Sequence, residues 1–218
     1  RRAGFQFGAA LPRNATAQVG TGLGQALASN NRASLAKPTM EVAKGAAPVV
    51  IDGITFEFID AASSEAPAEF MFYLPDFKAL CSSEVATGTF HNVLTQRGAK
   101  ARDTLNWSKA IDTALRSYGD KSDVVFGSHN WPTWGAGNVK TFLTHHRDTY
   151  RFIHDQTMRL ANSGQTATEI AEQVGEPTFA KTDFSTRGYY GTYNHNAKAV
   201  FQYYFGWWDG VPANYNRH

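Results

Sequence analysis

One cysteine, Cys81, is all that 218 residues contain. A lone thiol cannot close an intrachain disulfide, so the core stands without one and the redox compartment stays unread. Charge of one sign is lacking too. Twenty-one Lys and Arg face nineteen Asp and Glu, a net charge of +2. That excludes a nucleic-acid binder driven by counterion release, which needs a dense basic face. No run of about 18 apolar residues occurs, so no membrane-spanning helix is expected. The opening "RRAGFQFGAALPRN" begins with two arginines but has no sustained apolar stretch. It does not read as a signal peptide. "VGTGLGQALASNN" carries Gly20, Gly22 and Gly24, yet lacks the lysine, the Ser/Thr and the preceding strand of a phosphate loop. It is expected to be irregular loop. No histidine precedes His91.

What is present is ordinary in bulk, 42% hydrophobic and 18% charged, as in a globular chain with a real core. The order of patterns is more telling. Val49 to Ile51, the turn signal Asp52-Gly53, and alternating Ile54, Phe56 and Phe58 read as a hairpin. Phe70 to Leu74, a Pro75-Asp76 turn, and Lys78 to Cys81 read as another. Trp107, Ile111, Leu115 and Tyr118 fall at helical spacing, with Asn106 as a candidate cap and Gly119 as a stop. Val124 to Phe126 is a further strand. From about Asn138 the pattern turns almost wholly helical, with a stop at Asn162-Ser163-Gly164, a capping box at Thr166 and Glu169, and a last helix over 196–205. The fold class is α/β followed by an all-α part, with a soft boundary near residues 135–140.

Several groups could carry chemistry. Glu65 and Glu84 sit in loops at strand ends. They are either exposed loop glutamates or an inward pair, and an inward pair needs a cation. His129 follows a strand in "SHNWP" and is either structural or a ligand. Together the three offer oxygen and imidazole donors suited to zinc or manganese. Arg97 presents a planar fork for carboxylate, phosphate or sulfate, or a surface ion pair. His91 and Asn92 could donate to the same anion. His145 and His146 are adjacent on a helix, a poor chelate, and read as structural. The aromatic block "RGYYGTYNHNAKAVFQYYFGWWDGVP" reads either as core plus subunit interface or as an apolar pocket, with Tyr190 or His195 reaching a head group.

The strings "SEAPAEFMFYLPDFKALCSSEVATGTFHNVLTQRGAKARDTLNWSKAID", "SHNWPTWG", "YRFIHDQTMRLANSGQTATEIAE" and "RGYYGTYNHNAKAVFQYYFGWWDG" resemble the zinc-dependent alkylsulfatases of the metallo-β-lactamase superfamily. The resemblance runs through nearly the whole chain, in order and with matching separations. It implies a metallo-β-lactamase αββα sandwich, of which residues 1–136 would be the C-terminal part. Residues 137–218 would be a helical dimerisation domain. It implies two zinc ions per active site and an alkyl sulfate such as dodecyl sulfate as substrate. By resemblance Glu65 is a zinc ligand, Glu84 bridges the two zincs, and His129 is the final histidine ligand. Asn92 and Arg97 bind sulfate, and His91 is the general acid.

The family also carries a histidine-rich HxHxDH segment well upstream, and this chain has none. Three ligands cannot complete a two-metal site. The chain therefore reads as the second half of the catalytic domain plus the helical domain. The missing N-terminal half of the same polypeptide would be a partner, and a homodimer through the helical region is expected. Two other readings stay open, a non-catalytic binding or assembly module and another ester hydrolase of the superfamily.

Overall fold

The computed structural model describes residues 34–96 and 98–216. Arg97 and the glycine-rich stretch at Gly20 to Gly24 lie outside the described residues. The chain divides into two compact units, Arg1–Glu41 with Leu94–Lys100, and Val42–Val93 with Ala101–His218. The described residues of the first carry no helix or strand.

The second unit begins with a six-stranded sheet whose strands lie side by side in chain order. β1 (Val49–Ile51) and β2 (Ile54–Asp60) form a hairpin. Its two turn residues, Asp52 at φ 51° and Gly53 at φ 79°, both adopt the left-handed region that a tight two-residue turn requires. β3 (Phe70–Leu74) pairs antiparallel with β2 and with β4 (Ala79–Cys81). Helix α1 (Thr104–Tyr118) then crosses over, so that β5 (Val124–Phe126) lies parallel to β4. The short β6 (Thr133–Trp134) closes the edge.

α1 starts three residues earlier than its apolar spacing suggests. Asp103, not Asn106, is the cap: its carboxylate accepts the Asn106 N–H at 3.0 Å. The Asn106 side chain donates instead to the Ala62 carbonyl at 2.7 Å and ties the β2–β3 loop to the helix.

After β6 the unit is helical. α2 (Ala136–Asn162) runs the full predicted length and stops before Gly164 at φ 89°. α3 (Ala167–Gln173) opens on the expected capping box of Thr166 and Glu169. Two short turns follow in sequence, α4 (Thr178–Thr182) and, past α5 (Tyr193–Phe205), α6 (Pro212–Tyr215). No described helix is long and apolar enough to cross a membrane.

Cross-strand register sorts the sheet into two faces. Tyr73, Leu80 and Val125 are partners on one face, and all are buried. Tyr73 stacks on Tyr118 of α1 with ring centroids 4.5 Å apart, so this is the helix-covered face. Phe58, Phe72, Cys81 and Phe126 are partners on the other. There Phe70 and Phe72 pack edge-on to neighbouring rings while Phe70 remains 42% exposed.

Trp107 is the hub under the helices. It is fully buried, its Nε1 donates to the Val85 carbonyl at 2.7 Å, and its ring stacks on Tyr150 at 4.4 Å. Tyr150 meets Phe90, and Phe90 meets Tyr193 of α5. The C-terminal aromatic block therefore splits. Tyr193, Ala197 and Val200 are core, while Tyr203, Tyr204, Phe205, Trp207 and Trp208 are exposed. His145 pairs with Asp183, and His146 is fully buried against Phe142.

Trp107→Ala is expected to cost about 3–5 kcal/mol in chemical denaturation, from the cavity and the orphaned Val85 carbonyl. His146 gives a pH signature. Burial pushes its imidazole down to about 4, with the neighbouring His145 acting in the same direction and Asp183 against it. The folded state therefore disfavours protonation, so this contribution is complete above the unfolded value near 6.5 and is lost as pH falls from there to about 4. The loss is expected to approach ~1.4 kcal/mol per pH unit. Urea titrations of the parent and of His146→Leu at pH 7 and pH 5 check it; the variant should lose less stability across that interval.

Candidate functional site

Strand direction gathers the site. β4 and β5 are parallel, so both end at the same edge of the sheet. β3 is antiparallel to β4 and β2 to β3, so β2 ends and β3 begins at that edge too. Segments 61–69, 82–93 and 127–132 therefore emerge together. These are the segments that hold Glu65, then Glu84, His91 and Asn92, then His129. Sites in open α/β sheets gather at such carboxyl edges.

Local backbone bonds bring the loops closer. Ser82 N–H donates to the Phe126 carbonyl at 2.7 Å, and Ser128 N–H donates to the Ser83 carbonyl at 3.0 Å. The Ser83 hydroxyl donates to the Phe70 carbonyl at 2.6 Å. Gly127 permits this approach, because a Cβ there would lie 2.6 Å from the Ser83 carbonyl oxygen. Ser83 and Asn130 both sit at positive φ, 52° and 66°. Non-glycine residues there cost on the order of 1–3 kcal/mol and persist where surrounding structure fixes them, often at functional sites.

Ligand atoms of Glu65, Glu84 and His91 all lie within 4.8 Å of one another. His129 joins through Glu84: its Nε2 is 2.9 Å from Glu84 Oε1. The His91 Nε2 is 3.2 Å from the same oxygen. His129 is largely exposed and His91 almost wholly buried, so one imidazole lies at the mouth and one at the floor. The tightest donor triad thus includes His91, which the sequence resemblance assigns to proton transfer, with His129 at its rim.

Two groups that the sequence did not single out complete the electrostatics. Arg102 Nη2 pairs with the Glu65 carboxylate, and its Nε donates to the Glu65 carbonyl. Its Nη1 donates to the Asn92 carbonyl at 2.9 Å and to Asn92 Oδ1 at 3.1 Å. The guanidinium is the cation that an inward glutamate requires. Glu69 accepts the Glu84 backbone N–H at 3.4 Å. Burial holds its carboxyl above the usual range, against that hydrogen bond, and the charges of Glu65 and Glu84 add to the rise. Three carboxylates around one guanidinium leave a negative, partly buried cluster. Oxygen and imidazole donors in such a field fit a divalent cation of the zinc or manganese kind.

His91 is set for proton exchange. Its Nδ1 lies 2.7 Å from the Asn92 carbonyl, which can only accept, so Nδ1 carries a proton. Burial lowers its pKa, with Arg102 acting in the same direction and the bonds to Asn92 and Glu84 against. Tyr190 closes over it edge-on, ring centroids 4.9 Å apart. His195 precedes Asn196, whose side chain donates to the His91 carbonyl at 3.0 Å. It lies in the first turn of α5, its backbone N–H bonded to the Thr192 hydroxyl, and its buried Nε2 has no hydrogen-bond partner.

Arg102→Met is expected to destabilise the metal-free protein by about 3–5 kcal/mol, because Glu65 is left buried and unpaired. Adding Glu65→Leu should restore most of that loss. Urea denaturation of the two variants decides it; a single-variant loss under about 1 kcal/mol would remove the pair from this role.

Known proteins resemble this chain in sequence and fold. Residues 166–218 match the alkyl sulfatase dimerisation family. A linear primary-alkylsulfatase from Pseudomonas sp. is 47% identical over 98% of this chain and 32% of its own length. The alkyl/aryl-sulfatase BDS1 of Saccharomyces cerevisiae is 43% identical over 99% of this chain and 33% of its own. The solved structure of the stereoselective inverting sec-alkylsulfatase Pisa1 from Pseudomonas sp. superposes with a TM-score of 0.86 at 39% identity, covering 100% of this chain and 34% of that one. The chain thus spans about a third of the length of the relatives it matches, and over that third it is similar in sequence and fold to the alkylsulfatases.

Proposed function

We propose that the polypeptide carrying this chain hydrolyses alkyl sulfate esters, such as dodecyl sulfate, to an alcohol and inorganic sulfate. The observation that carries this reading is the convergence of Glu65, Glu84, His91 and His129 at one sheet edge, in a chain similar to alkylsulfatases along its length. Glu65, Glu84 and His129 would hold a zinc pair together with donors from outside this chain. When bound, such ions supply Lewis-acid stabilisation and lower the pKa of an attacking water.

The chain's own groups do the rest. Arg102 holds Asn92 Oδ1, which leaves the amide Nδ2 of Asn92 to donate to a sulfate oxygen. Arg97 is assigned to the same anion on sequence resemblance. With its Nδ1–H held by the Asn92 carbonyl, His91 acts as the imidazolium: its second proton sits on Nε2, where the Glu84 carboxylate stabilises it, and this proton goes to the departing alcohol oxygen. Tyr190 shields that step from water. Residues 137–218 serve as a dimerisation domain, and the exposed ring surface of Tyr203 to Trp208 suits a homodimer contact.

The test is sulfate release from dodecyl sulfate by the full-length polypeptide, run beside phosphatase and lactamase assays, with metal analysis. Hydrolysis of the sulfate ester alone, lost on chelation and restored by zinc, is expected. His91→Ala should lower kcat by about 10²–10⁴-fold and Arg97→Ala should lower kcat/KM by roughly 10- to 1000-fold. No metal in the purified protein, or activity on phosphate esters instead, would overturn the reading.

A further inference from the structure

The loop that carries His91 and Asn92 is neither helix nor strand, yet it is buried. Its backbone polar groups must therefore find partners inside the protein. Three of them go to the segment matched as a dimerisation region. The Phe90 carbonyl accepts the Gly191 N–H at 2.6 Å. The His91 carbonyl accepts Asn196 Nδ2 at 3.0 Å, and the Val93 N–H donates to Asn196 Oδ1 at 2.8 Å. A carboxamide presents a donor and an acceptor side by side, so one side chain takes the place of a neighbouring strand. Asn196 is fully buried on α5, where such a pairing is strongest. Gly191 is as constrained: a Cβ there would stand 2.3 Å from the His91 carbonyl oxygen.

We propose that Asn196 and Gly191 are positioning residues that fix the backbone of residues 90–93, so that the dimerisation segment is also the rear wall of the site. The kinetic part rests on the function proposed above. The anchoring part does not. The His91 ring is held at Nδ1 by the next residue's carbonyl, so a shift of this backbone moves both the proton donor and the Asn92 amide. A displacement near 1 Å can cost about 100-fold in rate.

The experiment uses the full-length polypeptide with Asn196→Ala, Asn196→Asp and Gly191→Ala. Ile170→Ala serves as a control, since Ile170 is buried against Ala197 of the same helix but touches none of the loop bonds. Amide hydrogen exchange, kcat, KM, Tm, metal content and oligomeric state are read for each. Asn196→Ala and Gly191→Ala should speed Val93 exchange about tenfold or more and lower kcat by about 10- to 100-fold, with KM changed less than kcat. Asn196→Asp keeps the acceptor for Val93 and should retain its protection, with an intermediate kcat. Ile170→Ala, at a similar loss in Tm, should leave both close to the parent. The proposal fails if Val93 exchange in Asn196→Ala matches the control. It fails equally if the kcat loss vanishes once protein concentration restores the dimer. Absence of any sulfatase activity in the parent would sink the function instead, and the exchange result alone would then decide the anchoring.

Discussion

A single guanidinium, that of Arg102, joins two loops that the sheet would otherwise leave merely adjacent. It meets the Glu65 side chain and backbone on one side and the Asn92 backbone and amide on the other. Both Arg102 and Glu65 are mostly shielded from water. In such a place neither charge is tolerable without the other, so the pair fixes where each loop can go. The Asn92 carbonyl that Arg102 holds is also the acceptor for His91 Nδ1. The position of the imidazole thus depends, through one carbonyl, on the charge balance of the carboxylate cluster.

The sheet supplies the frame for that cluster through strand direction alone. One parallel pairing, β4 with β5, inside an otherwise antiparallel order puts three loops on a common edge. Reversing any one of those strands would carry its loop to the opposite edge. Crossing helix α1 is what makes the parallel step, and its Trp107 lies directly beneath the gathered loops, in contact with His91. Core and site therefore share residues. The stack of Trp107 on Tyr150 packs the helices together and forms the floor on which the His91 ring rests.

The helical part is drawn into the same arrangement. α5 gives one face to the core through Tyr193, Ala197 and Val200, and sends Asn196 back to the His91 loop. Its far end turns a ring-rich surface outward. One helix thus touches the interior, the site and a surface fit for a partner. Buried backbone groups in an irregular loop demand exact partners, and a rigid helix is a better source of them than another loop.

Local pattern was legible wherever it is read by neighbours in the chain. The Asp52-Gly53 turn, the Thr166–Glu169 capping box and the stop at Gly164 follow from backbone preferences of a few residues, and each stands as expected. The apolar spacing of α1 is likewise visible, although its cap is Asp103 because a carboxylate three residues ahead of Asn106 reaches the free N–H first. Glu65, Glu84, His91 and His129 could be named from residue type and resemblance. Their proximity could not, and neither could the parts played by Arg102, Glu69 and Asn196, which lie near the site only after the chain has crossed itself. The need for a cation beside an inward glutamate was deducible; which arginine supplied it was not. Sequence by itself determined the elements, because helix, strand and turn depend on short-range sterics and hydrogen bonding. Tertiary structure alone decided which charges meet and which amide closes the His91 loop, because burial and pairing between residues a hundred positions apart are set by strand direction and packing.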